Sequence, residues 1–196
     1  MARGSEVRAR MVDAGTALLA RRGYGITMLE VVKEAGAPRG SIYYHFPDGK
    51  EELAIAAAAK TGSELSHLVQ VMARRNPEIA DFLCALVDHH TKRLVASGYS
   101  EGCPLLGVTV SAGSDSPALR ESAASAFEVW VGAIAGVLRE KGLEESVADQ
   151  LASTTIAAIE GSIVLARAAR RREPLDRFKG LLPALVAALP RQGAAS

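Results

Sequence analysis

Cysteine is nearly absent: Cys84 and Cys103 are the two in 196 residues, too few for a disulfide framework or a cysteine zinc site. Aromatic residues are scarce at 5%, and Ala and Leu dominate the apolar set. That balance favours helix over sheet, because strands draw on β-branched and aromatic side chains. No uninterrupted apolar run reaches the roughly 18 residues that a membrane span requires. The opening MARGSEVRAR lacks the apolar middle of a signal peptide. Internal repeats and low-complexity tracts are missing too. Apolar residues are not in short supply: they make up 48% of the chain, which excludes wholesale disorder. A chain of this length buries most of its apolar surface without covalent help. The simplest reading is a soluble, cytoplasmic, all-α protein with no membrane partner and no cofactor.

The net charge of +1 is unevenly placed. Residues 1–50 carry eight Lys/Arg against five Asp/Glu, and residues 51–196 carry fifteen against seventeen. The N-terminal surplus hints at a polyanionic partner. Arg outnumbers Lys seventeen to six, a bias that a GC-rich genome explains without function.

Periodicity predicts a first helix over Ser5–Arg22, with Val7, Met11, Ala14 and Leu18 on one face and Gly23 and Gly25 ending it. Thr27 caps a second helix, and Glu30 three residues later completes a capping box. Ala35-Gly36-Ala37 is a tight turn, and Pro38 suits the first turn of a short third helix running to Tyr44 or His45. After Pro47-Asp48-Gly49 the chain becomes long helices: Lys50–Arg74, Asn76–Ser97, a short one at Leu105–Ala112, then one started by Gly113-Ser114-Asp115-Ser116-Pro117 and reaching Gly142, Glu145–Arg171 and Leu175–Leu189. The expected division is a head over 1–49, a helical body over 50–190 and a frayed tail over 191–196, with about nine helices in all.

Three helices with a tight turn between the second and third make a candidate helix-turn-helix, which reads DNA by laying its second helix in the major groove. Val31, Ala35, Ile42 and Phe46 are spaced to form its core. Arg39, Gly40, Ser41, Tyr43, Tyr44 and His45 are left for the outer surface of the third helix. Tyr, Ser and His donate hydrogen bonds to phosphates or base edges, and Arg39 pairs bidentately with guanine or phosphate. Gly40 allows close backbone approach, and Lys50 opens the next helix within reach of a phosphate.

At these residues the chain resembles the TetR family of transcriptional regulators. The resemblance rests on Thr27, Ala35-Gly36, Gly40 and Ile42-Tyr43-Tyr44-His45-Phe46, followed by Lys50 and Leu53. PRGSIYYHFPDGKEEL and the later Gly102-Cys103-Pro104-Leu105-Leu106-Gly107 are similar to the LmrA/YxaF-like subgroup. Ala37 replaces the bulkier Val common in the turn, and Pro38-Arg39 stand where many members have Ser and Lys, so base preference does not carry over.

The resemblance implies an all-helical homodimer that represses transcription from a near-palindromic operator in double-stranded DNA and leaves it on binding a small apolar or aromatic effector. It implies DNA contacts from Thr27, Arg39, Gly40, Ser41, Tyr43, Tyr44, His45 and Lys50, with Thr27 and Lys50 on phosphates. It places an effector pocket among the body helices, where Met72, Phe82, Leu86, His89, Cys103, Phe127, Trp130, Val131 and Ile134 are the candidate lining residues. It makes the last two helices a dimer interface, where Ala158, Gly161, Ser162, Leu165, Leu181 and Leu185 are candidates.

Blander readings stand beside these. Apolar stripes are core by default, and Arg8 and Arg10 read as a solvated helix face. Asp88-His89-His90 suggests a metal only weakly, since adjacent helix residues point about 100° apart. Catalysis by Cys103 needs a base and an oxyanion donor that nothing in the sequence supplies, so an enzyme is not expected. Arg170-Arg171-Arg172 reads as the charged end of a helix. A DNA-binding regulator without a small-molecule effector, constitutive or protein-controlled, is the alternative.

Overall fold

The computed structural model describes residues 2–111 and 116–190. The expected tail over 191–196, Ala112, and the start of the long-helix signal at Gly113–Asp115 lie outside the described residues. Of the described residues 83% are helical, and no β-strand occurs among them, as the shortage of β-formers requires. The helices are α1 (Ala2–Arg22), α2 (Met28–Glu34), α3 (Ile42–His45), α4 (Lys50–Arg75), α5 (Ile79–Ala96), α6 (Pro104–Ser111), α7 (Pro117–Glu140), α8 (Glu145–Ala169) and α9 (Glu173–Ala187). Short 3-10 turns, Gly23–Gly25 and Arg39–Ser41, precede α2 and α3.

Several helix starts differ from expectation: α1 begins at Ala2, ahead of Ser5, and α9 at Glu173, ahead of Leu175. Asn76 and Pro77 stay outside α5, which begins at Ile79 after an extended Glu78. Pro38 is not inside the third helix: it is extended, at φ −64° and ψ 138°, and the chain passes through the 3-10 turn before α3 forms. An extended Pro38 places its carbonyl to accept from the Ser41 N–H at 3.0 Å and from the Ser41 hydroxyl at 2.6 Å. These local bonds close a three-residue turn where a full α turn was expected.

The chain packs as two units, residues 1–63 with 103–127, and residues 64–102 with 128–196. The expected boundary at 49/50 does not coincide with this division: the first half of α4, all of α6 and the first half of α7 pack with the N-terminal helices. In this unit Met11, Leu19, Ile26, Val31, Phe46 and Leu53 form a core with exposures of 2% or less. Val108 of α6 joins the same core. Its helix lies so close to α1 that a Cβ at Gly107 would sit 2.7 Å from the Leu19 carbonyl oxygen.

In the other unit α5 packs against α8 and α9, and α8 against α9. Lys179 holds both Asp88 carboxylate oxygens, at 2.7 and 2.8 Å, and fastens α9 to α5. Lys141 donates to the Asn76 and Pro77 carbonyls at 2.8 and 2.7 Å and closes the α4–α5 corner onto the end of α7. The Arg170–Arg172 run divides at the α8–α9 corner. Arg170 is the left-handed cap of α8 and donates to the Gly98 carbonyl, while Arg172 pairs with Asp176 inside α9. By length and composition α7 and α8 are apolar enough to cross a membrane. Here half of the apolar stretch of α8 is buried within the protein.

Candidate nucleic-acid interface

Local chemistry sets the entry to the helix-turn-helix. The Thr27 hydroxyl accepts from the Glu30 N–H at 3.3 Å, and Glu30 Oε2 accepts from the Thr27 N–H at 2.8 Å. This is the reciprocal capping box, satisfying two backbone donors that the first turn leaves unpaired. Glu30 also pairs with Arg22, and bonds from Arg22 and Thr27 hold its carboxyl at about 2. α2 ends at Glu34 with Ala35 as its cap, and the next residue, Gly36, has a φ of +58° that suits a residue without Cβ.

α3 is four residues long, and its two faces separate cleanly. Ile42 and Phe46, four apart, are buried in the head core, while Tyr43 and Tyr44 project with exposures of 76% and 80%. Tyr44 meets the half-buried His45 edge to face, ring centroids 4.8 Å apart. Arg39 and Gly40 are exposed, and a Cβ at Gly40 would meet nothing within 4 Å. Arg39, Gly40, Tyr43, Tyr44 and His45 therefore share the outer surface of this short element. The remaining expected contacts are engaged within the chain. Thr27 is exposed, but its hydroxyl belongs to the capping box. The Ser41 hydroxyl bonds Pro38. Lys50 is half-buried: Nζ donates to the Tyr24 carbonyl at 2.9 Å and lies 4.0 Å from the Tyr24 ring centroid. Arg8 stacks on the Phe46 ring at 4.8 Å and pairs with Glu52 at 3.6 Å, so it serves the head's own packing.

The expected effector residues fall in both units. Phe82, Leu86, Trp130 and Ile134 are fully buried, with Met72, His89 and Val131 half-buried, all in the unit built on α5, α8 and α9. Cys103 and Phe127 pack instead in a small cluster with Ala58, Leu105 and Ala126 in the other unit. The histidine on the buried face is His90, not His89. It is 8% exposed, its ring centroid lies 5.5 Å from that of Trp130, and Nε2 has no hydrogen-bond partner. Burial, with His89 and Arg93 nearby, drives His90 down to about 3, so its imidazole is neutral. The signal was present in the sequence: Phe82, Leu86, His90 continues the i, i+4 spacing, whereas Phe82, Leu86, His89 drifts toward the edge of the face. No group of three or more His, Cys, Asp or Glu suited to a metal occurs among the described residues.

On the last two helices, Gly161 and Leu165 of α8 and Leu181 and Leu185 of α9 are exposed, the leucines by 61%, 65% and 40%. Ala157, Val164, Ala168, Ala184 and Ala188 extend the same exposed apolar stripe. Ala158 is half-buried. Ser162 is turned into the core at 9% exposure, because the inward face of α8 runs through Ile159, Ser162, Ile163 and Ala166.

Residues 11–57 match the family of bacterial regulatory proteins of tetR type, and residues 80–180 match the LmrA/YxaF-like transcriptional regulator C-terminal domain. The HTH-type transcriptional regulator LmrA of Bacillus subtilis is 30% identical over 180 residues, covering 91% of this chain and 96% of that one. An uncharacterized HTH-type regulator of Mycobacterium tuberculosis is 32% identical over 192 residues, covering 94% and 97%. The transcriptional repressor DhaR of a Mycobacterium species is 26% identical, covering 88% of each chain. A TetR regulator from Chloroflexus aurantiacus superposes with a TM-score of 0.78 at 26% identity, covering 98% and 100%. The helix-turn-helix head, its exposed tyrosine face and the helical body thus belong to a DNA-binding transcriptional regulator, not an enzyme, and the chain is a member of the TetR family with an LmrA/YxaF-like C-terminal domain.

Proposed function

We propose that the protein is a cytoplasmic homodimeric repressor that leaves a near-palindromic operator when a small apolar or aromatic molecule binds its body. The observation that carries the DNA half of this reading is α3. Tyr43 and Tyr44 stand out from a face whose other side, Ile42 and Phe46, is locked in the core. Such a rigid element enters the major groove with tyrosine hydroxyls, Arg39 and His45 toward phosphates and base edges. The functional division is then the head over 1–49 and the body over 50–190. Repression is supported by the likeness to DhaR, whose name marks it as a repressor.

Dimerisation is supported by the exposed stripe on α8 and α9, too apolar to be left to water. A two-fold dimer offers one α3 to each operator half-site, which makes the operator near-palindromic. Control by a ligand is supported by the buried His90–Trp130 pair among apolar residues, a polar-tipped site in an otherwise greasy interior. The effector acts only if it binds the DNA-incompetent arrangement more tightly, and a typical coupling of about 1–3 kcal/mol loosens DNA about 5- to 150-fold. The alternative, a regulator with no small-molecule effector, is favoured by the complete burial of Phe82, Leu86, Trp130 and Ile134, which fits a closed core.

The test is fluorescence anisotropy on DNA from the protein's own upstream intergenic region against random DNA of equal length, at near-physiological salt. A preference of roughly a thousandfold or more is expected of a specific regulator. Equal, salt-sensitive binding to both DNAs refutes operator recognition. Small aromatic compounds that abolish the specific signal separate the effector reading from its alternative.

A further inference from the structure

Lys50 stands at the start of α4, where the resemblance implies a phosphate contact, yet its ammonium is already used. Nζ donates to the Tyr24 carbonyl at 2.9 Å and rests on the Tyr24 ring at 4.0 Å. The other backbone group of Tyr24 is used as well: its N–H donates to the Ser111 hydroxyl at 2.6 Å. That hydroxyl donates in turn to the Gly107 carbonyl. One residue in the corner between α1 and α2 is thus gripped by the start of α4 and by the end of α6.

The corner is built for this grip. Gly23 has φ +63°, and a Cβ there would lie 2.4 Å from the Ser111 hydroxyl and 3.0 Å from the Gly107 carbonyl. A Cβ at Gly107 would lie 2.7 Å from the Leu19 carbonyl and 3.3 Å from the Gly23 Cα. At Gly107 backbone meets backbone, with no side chain between to absorb a displacement, and at Gly23 the Ser111 side chain fills the space a Cβ would need. A charge-assisted hydrogen bond and a cation over an aromatic face are among the stronger polar contacts at a partly buried position.

We propose that Lys50, Tyr24 and Ser111 form a latch that registers α6 on the helix-turn-helix, and that Lys50 serves DNA binding as a positioning residue and not as a phosphate contact. Tyr24 lies three residues before Thr27, the cap of α2, so the latch sets where α2 and, beyond its turn, α3 begin. Displacing the end of α6 pulls on the Tyr24 N–H and shifts the entry to the motif. The inference rests on the DNA-binding reading above, since the property it explains is the affinity for DNA.

Salt dependence distinguishes the two roles. A lysine that neutralises a phosphate releases a counterion, and its loss lowers the slope of log affinity against log salt by about 0.9 per head. A positioning lysine leaves that slope unchanged. The experiment measures operator affinity of the full-length protein from low to moderate salt for the wild type, Lys50→Met, Ser111→Ala and the double variant, with thermal melts alongside. The expected result is an affinity loss of about tenfold for Lys50→Met, the scale of one charge-assisted hydrogen bond. The slope should be unaltered, the melting temperature lower, and the double variant non-additive because both bonds act on Tyr24. Ser111→Ala carries no charge change and should also weaken binding, so the latch is tested even if Lys50→Met does not fold. A slope reduced by about 0.9 per head, additive losses, or full affinity in Ser111→Ala overturns the latch. Wild-type protein without operator preference instead overturns the DNA-binding reading itself.

Discussion

Gly107→Ala is the sharpest test of the α1–α6 packing. The added Cβ would lie 2.7 Å from the Leu19 carbonyl oxygen and 3.3 Å from the Gly23 Cα. Both are backbone atoms, so no rotamer change makes room, and α6 must move off α1. Overpacking of this kind costs about 1–3 kcal/mol, and a rigid partner puts this site at the upper end. Ala is the better helix former by about 1 kcal/mol, which offsets part of the loss. The net expectation is a loss of about 2 kcal/mol, and at about 2–4 °C per kcal/mol for a chain of this size the melting temperature falls by about 4–8 °C. Gly132→Ala is the matched control. Gly132 is exposed within α7, with nothing within 4 Å of its added Cβ, so the same substitution should raise stability by about 0.5–1 kcal/mol. Thermal melts at one fixed protein concentration read both, since a dimer's midpoint depends on concentration. Equal shifts for the two variants, or a Gly107→Ala protein as stable as wild type, would refute the backbone-contact argument.

Three further outcomes are expected. Arg39→Ala should cost about 1–3 kcal/mol of operator affinity at one base position if Arg39 reads guanine, whereas a uniform loss across sequences would make it a phosphate contact; anisotropy on a panel of single-base variants decides. Leu181→Glu combined with Leu165→Glu places charges on side chains 65% and 61% exposed in the single chain. Sedimentation should show monomers with intact helical circular dichroism, and a surviving dimer would move the interface elsewhere. His90 is neutral when folded, held at about 3, against an ordinary value of 6.5 when unfolded. The unfolded state then binds the extra proton, so stability is flat above pH 6.5 and falls as the pH drops from 6.5 toward 3. His90→Phe should flatten that part of the acid denaturation profile, and an unchanged profile would mean that His90 is not held neutral.

The caps of α2 and the exposed face of α3 were legible in the sequence because they depend on neighbours a few residues away. The Thr27–Glu30 capping box, the positive-φ Gly36 and the alternation of Ile42 and Phe46 with Tyr43 and Tyr44 are contacts within one turn, and the structure has each of them. The all-helical class followed from composition for the same reason. Pro38 and Pro77 were local exceptions: each ring suits a helix start, but Pro38 is extended and leads into a 3-10 turn, and Pro77 stays outside α5.

What tertiary structure alone decided are questions of which face meets which neighbour. A shift of one residue rotates a helix position by about 100°, so His89 and His90 look alike in the text, and packing of α5 chose His90 for the interior. The same rotation took Ser162 out of the exposed stripe that holds Gly161 and Leu165. α6 lies more than eighty residues beyond Gly23 in the chain but packs in the same unit, because two glycines, Gly23 and Gly107, let backbones touch where the sequence shows only a connecting helix. Lys50 looked like a free cation for phosphate. The carbonyl and ring of Tyr24, twenty-six residues earlier, claimed it. Local hydrogen bonding and periodicity are written along the chain, whereas burial and long-range partnership exist only once distant segments have met.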